Sequence, residues 1–110
     1  MQPFHTGFNP IYSEDAPTPD DISVLVGDSI LEFGAPWCGH CMAAESAIEK
    51  AFTNHPDLPH IKIYDGKGKK LGRAFKVKLW PTLILLRDGV EVGRLIRPTQ
   101  AVEVQQLLAR

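Results

Sequence analysis

The sequence is poor in cysteine and has no long apolar run. It contains two cysteines, Cys38 and Cys41, in 110 residues, too few for the disulfide framework of a small secreted domain. No apolar segment approaches the ~18 residues of a membrane-spanning helix. The first ten residues also lack the basic and apolar segments of a secretory signal. We therefore expect a cytoplasmic location, in a bacterial cell, where disulfides are usually transient.

The chain also lacks a net charge of either sign. Its formal net charge is -1, so we predict no nucleic-acid partner and no membrane partner. We also expect a monomer. The charges are unevenly divided: residues 1–57 hold nine acids and one base, whereas residues 58–110 hold eleven bases and four acids. This asymmetry is typical of two solvated faces, although it could steer a charged partner.

A chain of this length, with 44% hydrophobic residues, is predicted to form one domain. Residues 1–17 contain three prolines and show no clear period, and we interpret them as an N-terminal arm with a short strand near Asn9–Ser13. Residues 18–110 are predicted to be the folded domain.

Apolar periodicity and turn residues divide that domain into alternating helices and strands. The predicted elements are a helix from the N-cap Thr18 to Gly27, a strand at Ser29–Ala35, a helix at Cys38–Asn54, a strand at His60–Tyr64, a helix around Leu71–Phe75, a hairpin about Asp88–Gly89 and a helix at Thr99–Ala109. Strands separated by helices are expected to be parallel, and the hairpin adds an antiparallel edge. The fold class is therefore α/β, a mixed central sheet flanked by helices on both faces.

The clearest chemical motif is "PWCGHC", Pro36 to Cys41. Cys38 would begin a helix, where unpaired N–H groups and the helix dipole favour a thiolate. Cys41 lies nearly one turn later on the inward face, placed to attack a mixed disulfide on Cys38. Gly39 keeps the sulfur accessible. His40 can stabilise the thiolate and make the pair more oxidising; alternatively, it faces solvent with little effect.

Zinc binding is the alternative use of this pair. His40 lies between the cysteines, and His5, His55 or His60 could supply a further ligand. A structural zinc site usually brings a second ligand pair, however, whereas these histidines are scattered singly. We favour a redox pair and predict no metal and no bound cofactor.

The segment "LEFGAPWCGHC", followed by "WPT" at Trp80–Thr82, resembles the thioredoxin family over roughly residues 18–110. The "APW" and "GH" within it look like protein disulfide isomerase. The resemblance implies the thioredoxin fold and thiol–disulfide exchange, with Cys38 attacking, Cys41 resolving, and a Cys38–Cys41 redox disulfide. It also implies protein disulfides or dithiols as substrates, and a recycling reductase or glutathione as partner.

Further positions match the family's active site. Trp37 precedes the cysteines. Pro81 matches a proline whose preceding peptide bond is cis, and the backbone of Trp80 there can pair with a substrate strand. Glu32 matches the buried acid that exchanges a proton with the resolving cysteine. Lys62 stands where the family often places that acid's partner, although it could instead be an ordinary edge-facing lysine.

Glu32 is also unusual for its residue type, since it is an acid in an otherwise apolar strand. We expect burial to raise its pKa toward neutrality, partly countered if Lys62 lies close. We also expect that loss of this carboxylate would leave stability unchanged or higher, because an imperfectly paired buried charge would be removed.

Three residues depart from the family pattern. Gly34 stands where an aromatic is usual, which predicts thinner support beside the active site. Trp80 replaces a smaller aliphatic residue, and Arg97 replaces a glycine near the substrate groove, which predicts a bulkier and more basic rim. The rival function is a non-catalytic interaction module that docks a partner in the Trp37–Trp80 groove.

Overall fold

The computed structural model describes residues 5–66 and 69–110. In chain order its elements are α1 (Pro19–Ser23), β1 (Asp28–Gly34), α2 (Gly39–Phe52), β2 (His60–Tyr64), α3 (Lys70–Ala74), β3 (Thr82–Arg87), β4 (Val90–Ile96) and α4 (Ala101–Leu108). Among the helices of these described residues, none is long and apolar enough to cross a membrane.

The four strands form one mixed sheet in the order β2-β1-β3-β4. β1 pairs in parallel with β2 and antiparallel with β3, and β3 pairs antiparallel with β4. The predicted mixed sheet is confirmed. The expectation that helix-separated strands are all parallel is wrong for β2 and β3, which run in opposite directions. The crossover rule gives the handedness of a connection between two strands that are already parallel. It does not require that two strands joined by a helix be parallel, and here β2 and β3 lie on either side of β1.

Two cores cover the two faces of the sheet, because side chains of a strand alternate in direction. On one face, Ile30 of β1 packs with α2 and α4, through residues such as Ile48 and Val104. On the other face, Leu31 and Phe33 of β1 pack with residues of α1 and α3. Burying each such side chain contributes about 1.5–3 kcal/mol, and the predicted placement of helices on both faces is confirmed.

A local sequence signal sets the start of α1. At α1, the Thr18 side chain accepts a bond from the Asp21 N–H and the Asp21 carboxylate accepts one from the Thr18 N–H, both at 3.0 Å. This capping box satisfies two of the free N–H groups of the helix, but α1 ends well before the predicted stop at Gly27. Cys38 is the N-cap of α2.

The described part of the arm, residues 5–17, packs along β2. In place of the predicted short strand near Asn9–Ser13 there are isolated bridges from Thr6 to Pro59 and from Ser13 to Ile63. Asn9 and Ser13 are buried. Residues 1–4 of the arm, and residues 67–68 ahead of α3, lie outside the described residues. The division into an arm and a domain at residue 18 stays a prediction.

The hairpin turn is predicted to be far less tolerant of a side chain than the turn before β1. Gly89 has a φ of 79°, and a Cβ there would stand 2.6 Å from the Ser23 carbonyl oxygen. Gly27 has a φ of 76° with nothing within 4 Å of its Cβ position. Both alanine variants place an L-residue in the left-handed backbone region, which costs about 1–2 kcal/mol of stability. Gly89→Ala must in addition displace the end of α1. Urea unfolding should show a larger loss for Gly89→Ala than for Gly27→Ala; equal losses would contradict the packing.

Candidate active site

The two cysteines lie at the start of α2, beyond the end of β1, and both are free thiols. Cys38 is half-buried, whereas Cys41 is 4% exposed and faces the core. The adjacent Trp37 is 65% exposed. The spacing in the sequence therefore puts one sulfur within reach of another molecule and the other sulfur behind it.

The environment of Cys38 favours its thiolate. Partial burial opposes ionisation, but the backbone N–H groups of Cys41 and His40, the Cys41 thiol and the positive charge of Arg97 outweigh it, so the pKa of Cys38 is lowered. These N–H groups are the unpaired donors of the first helical turn. In the described structure, His40 acts on the sulfur through its backbone.

The environment of Cys41 has the opposite effect. Burial raises the pKa of Cys41 to about 11, and the neighbouring sulfur of Cys38 also raises it. Hydrogen bonds with the Ala35 backbone and the Tyr12 hydroxyl work in the other direction. The two thiols therefore differ in the way that a nucleophile and a protonated resolving thiol should differ.

Glu32 is 1% exposed and is held by two hydrogen bonds. Its Oε1 lies 2.7 Å from His60 Nε2, and its Oε2 accepts a bond of 2.5 Å from the Tyr12 hydroxyl. The Asn9 backbone N–H donates to His60 Nδ1 at 2.8 Å, so the proton of the neutral ring is on Nε2, facing the carboxylate. His60 is itself fully buried and stacks on Phe52 of α2.

The prediction that burial raises the pKa of Glu32 is wrong. Burial does act in that direction, but the hydrogen bond from His60, the charge of Lys62 and the Tyr12 hydroxyl outweigh it, and the pKa of Glu32 is lowered. Sequence reasoning anticipated Lys62 as a partner but not His60 or Tyr12. The carboxylate is well paired, so its loss is not expected to be neutral.

Lys62 is 3% exposed and is the register partner of Glu32 on β2. Its ammonium lies 4.4 Å from the centroid of the Tyr12 ring and 5.4 Å from that of Phe8. The alternative of an edge-facing lysine is wrong. The arm supplies the two aromatic faces that receive this buried charge.

The arm also fills the space beside Gly34. A Cβ on Gly34 would stand 2.5 Å from the Tyr12 hydroxyl oxygen and 2.6 Å from the Cys41 sulfur. The expectation of thinner support at this position is therefore wrong, because Tyr12 reaches in from the arm and occupies the space. The absent aromatic at Gly34 was the one signal in the sequence that something else must fill this position.

The loop before β3 forms the other side of the site. The Trp80–Pro81 peptide bond is cis, as the resemblance implied. Arg97 adopts a φ of 54°, a region that favours glycine, and its Nε donates to the Trp80 carbonyl at 2.9 Å. The Trp80 ring meets that of Trp37 edge-on at 5.6 Å and donates to Asp65 Oδ2 at 3.0 Å. Two indole rings and the guanidinium of Arg97 therefore lie together here, and the effect of this rim on substrate choice stays a prediction.

Within residues 5–66 and 69–110, no group of three or more histidine, cysteine or acidic side chains comes together as a metal site. His60, one of the ligands considered for zinc, uses its two ring nitrogens on Asn9 and Glu32. The zinc hypothesis therefore gains no support from the described part of the chain.

Comparisons with known proteins agree with this geometry. A sequence model of the family described as Thioredoxin matches residues 20–110. Thioredoxin 2 from Pseudomonas aeruginosa, in its reduced form, superposes with a TM-score of 0.81 at 45% identity, over 88% of this chain and 90% of that one. A thioredoxin of Chlamydia pneumoniae is 33% identical over 79 residues, which are 69% of this chain and 74% of the relative.

Several relatives are much longer than this chain. A protein disulfide-isomerase of Aspergillus oryzae is 32% identical over 102 residues, which cover 79% of this chain but 20% of the relative. The chain spans 49% of the length of the rice Thioredoxin H2-1. These likenesses concern a part of each of those proteins.

Removing the Glu32 side chain is predicted to destabilise the protein. Glu32→Ala leaves a histidine N–H and a tyrosine hydroxyl without their acceptor and a buried lysine without its opposite charge, and breaking a buried pair typically costs about 3–5 kcal/mol. The folded-state pKa of Glu32 lies below its ordinary value of 4.5, so its stabilisation is full above pH 4.5 and is lost as pH falls through the folded value.

Urea unfolding between pH 3 and 8 measures both effects, with the exposed Glu49→Ala on α2 as the matched control, expected within about 0.5 kcal/mol of wild type. An unchanged or higher stability of Glu32→Ala at neutral pH would contradict the prediction.

Proposed function

This chain belongs to the thioredoxin family, and from that premise we propose that it is a thiol–disulfide oxidoreductase acting on protein substrates through Cys38 and Cys41. The observation that carries the proposal is the opposite shift of two neighbouring thiols: the pKa of the half-buried Cys38 is lowered and that of the buried Cys41 is raised. A structural cysteine pair has no need of this difference, whereas exchange through a mixed disulfide depends on it.

The reaction takes two displacements. The Cys38 thiolate attacks a substrate disulfide and forms a mixed disulfide, and one substrate sulfur leaves as a thiolate. Cys41 then loses its proton and attacks the Cys38 sulfur, and the second substrate sulfur leaves as a thiolate. The substrate gains two electrons and the Cys38–Cys41 pair becomes a disulfide. In the reverse direction the same steps oxidise a substrate dithiol. Neither direction requires a bound cofactor.

Glu32 is proposed as the final acceptor of the Cys41 proton. It is the buried carboxylate on the Cys41 side of the sheet, joined to that thiol by way of Tyr12. Its lowered pKa keeps it ionised before the second step, and Lys62 and His60 hold it in place. A base is needed here because Cys41 is a protonated thiol at neutral pH.

Substrates are proposed to bind along Trp37, Trp80 and Pro81. The Trp80 carbonyl already accepts a bond from Arg97, so a substrate strand that pairs there must replace the guanidinium. The displaced Arg97 would then favour an acidic or hydrogen-bond-accepting substrate side chain beside the disulfide. A recycling reductase or glutathione in the cytoplasm is the proposed electron partner.

Single replacement of each cysteine should separate the two roles. Cys41→Ser should accumulate a mixed disulfide with a disulfide-bonded protein such as insulin, because Cys38 still attacks and no thiol resolves the product. Cys38→Ser should accumulate none at neutral pH, because Cys41 is protonated and buried. Intact mass measurement before and after reduction detects the adduct. Equal trapping by the two variants would contradict the assignment, and absence of insulin reduction by the wild type would overturn the proposed function.

His40 is proposed to raise the reduction potential by stabilising the Cys38 thiolate. His40→Pro removes both the ring and the backbone N–H that donates to Cys38, at a helical first turn that tolerates proline. The pKa of Cys38 should rise and the potential should fall by about 30 mV, which corresponds to 1.4 kcal/mol. His40→Ala keeps the backbone N–H, so its reduction potential should fall less than that of His40→Pro. Equilibration with glutathione measures the potential; an unchanged potential and Cys38 pKa in His40→Pro would contradict the role.

A further inference from the structure

Tyr12 belongs to the arm, outside the residues 20–110 that match the family, yet its hydroxyl lies in the active site. It donates to Glu32 Oε2 at 2.5 Å and lies close to the Cys41 sulfur, whose pKa it lowers. The same oxygen and that sulfur border the small space over Gly34. The hydroxyl therefore stands between the thiol that must lose a proton and the carboxylate that can accept one.

We propose that Tyr12 relays the proton of Cys41 to Glu32 during the second displacement. The inference rests on the proposed function and adds a residue to it. Because the ionised carboxylate holds the phenolic hydrogen, a lone pair of the Tyr12 oxygen is left to accept the Cys41 S–H. If the Cys41 proton passed directly to Glu32, the hydroxyl placed between the two groups would have no role in the transfer.

The relay is a double proton shift. As Cys41 attacks the Cys38 sulfur, its proton moves to the Tyr12 oxygen and the phenolic proton moves to Glu32 Oε2. The Cys41–Cys38 bond forms, the bond from Cys38 to the substrate breaks, and the substrate sulfur leaves with the electron pair. Tyr12 ends as a neutral phenol, which its burial beside Glu32 requires, since both effects raise its pKa far above the ordinary value.

The groups around Tyr12 keep the hydroxyl in this position. Lys62 of β2 lies over one face of the ring, Glu32 of β1 and Cys41 of α2 meet the hydroxyl, and His60 holds Glu32 from its other side. A cavity of about 390 Å³ runs beside the ring, and Glu45 is the other titratable residue that lines it. The arm thus closes the space between the sulfur and the carboxylate.

The test separates the two displacements with dithiobis(nitrobenzoate), an aromatic disulfide that releases one coloured thiolate at each step. In stopped flow, Tyr12→Phe keeps the ring and removes the hydroxyl. Its first phase should match wild type, and its second should slow about 10²-fold at neutral pH, the lower end of general acid–base effects. The rate of that second phase should then rise about tenfold per pH unit at pH values below the Cys41 pKa of about 11, because the thiolate must form by loss of a proton to solvent. The wild-type second phase should depend less steeply on pH.

Tyr64→Phe at the end of β2 is the matched control and should leave both phases unchanged. A Tyr12→Phe second phase with the wild-type rate and pH dependence would overturn the relay and leave the proposed function standing. Absence of any second phase in the wild type would overturn the proposed function and the relay with it.

A measurement on the wild type keeps the relay testable if Tyr12→Phe does not fold. The rate of the second phase is followed in mixtures of light and heavy water. If two protons move together, a plot of this rate against the deuterium fraction should be curved. A linear plot would overturn the double shift.

Discussion

A carboxylate buried in an inner strand of the sheet is the constraint on which the rest of the site depends. Placing an ionised Glu32 at 1% exposure would cost many kcal/mol without partners. The structure therefore brings a histidine and a lysine from β2 and a tyrosine from the arm to the same point. β1 and β2 are held in a register that places Lys62 beside Glu32, and the arm is held against β2.

The two thiols acquire different chemistry from their positions, although they are the same residue type three positions apart. Cys38, at the N-cap of α2, receives backbone N–H groups and the charge of Arg97; Cys41, one turn on, faces the core. A helix start and a buried face are general features of the fold. The tyrosine beside the inner thiol and Glu32 comes instead from the arm, outside the residues 20–110 that match the family, and Gly34 provides the space for it.

Arg97 shows how one residue can serve both the fold and the groove. Its positive φ is a conformation that L-residues adopt at a cost, and here it brings the guanidinium onto the Trp80 carbonyl and its charge near Cys38. The Trp80 carbonyl beside the cysteines is thus occupied by the protein's own hydrogen bond, and a substrate strand that paired there as proposed would have to compete with it. Selectivity would then arise from what a substrate offers to the released guanidinium.

The sequence by itself determined the elements whose signals are local: the β2 span His60–Tyr64, the N-cap at Thr18 and the Asp88–Gly89 hairpin. It also placed the cysteine pair at the start of a helix, because period and capping depend on near neighbours in the chain. Tertiary structure alone decided the direction of β3 relative to β2, the pairing of Glu32 with His60, and the entry of Tyr12. Each of these joins residues far apart in the chain, and the pKa of Glu32 followed from them: burial, visible in the apolar strand, predicted a rise, while partners brought in by the fold produced a fall.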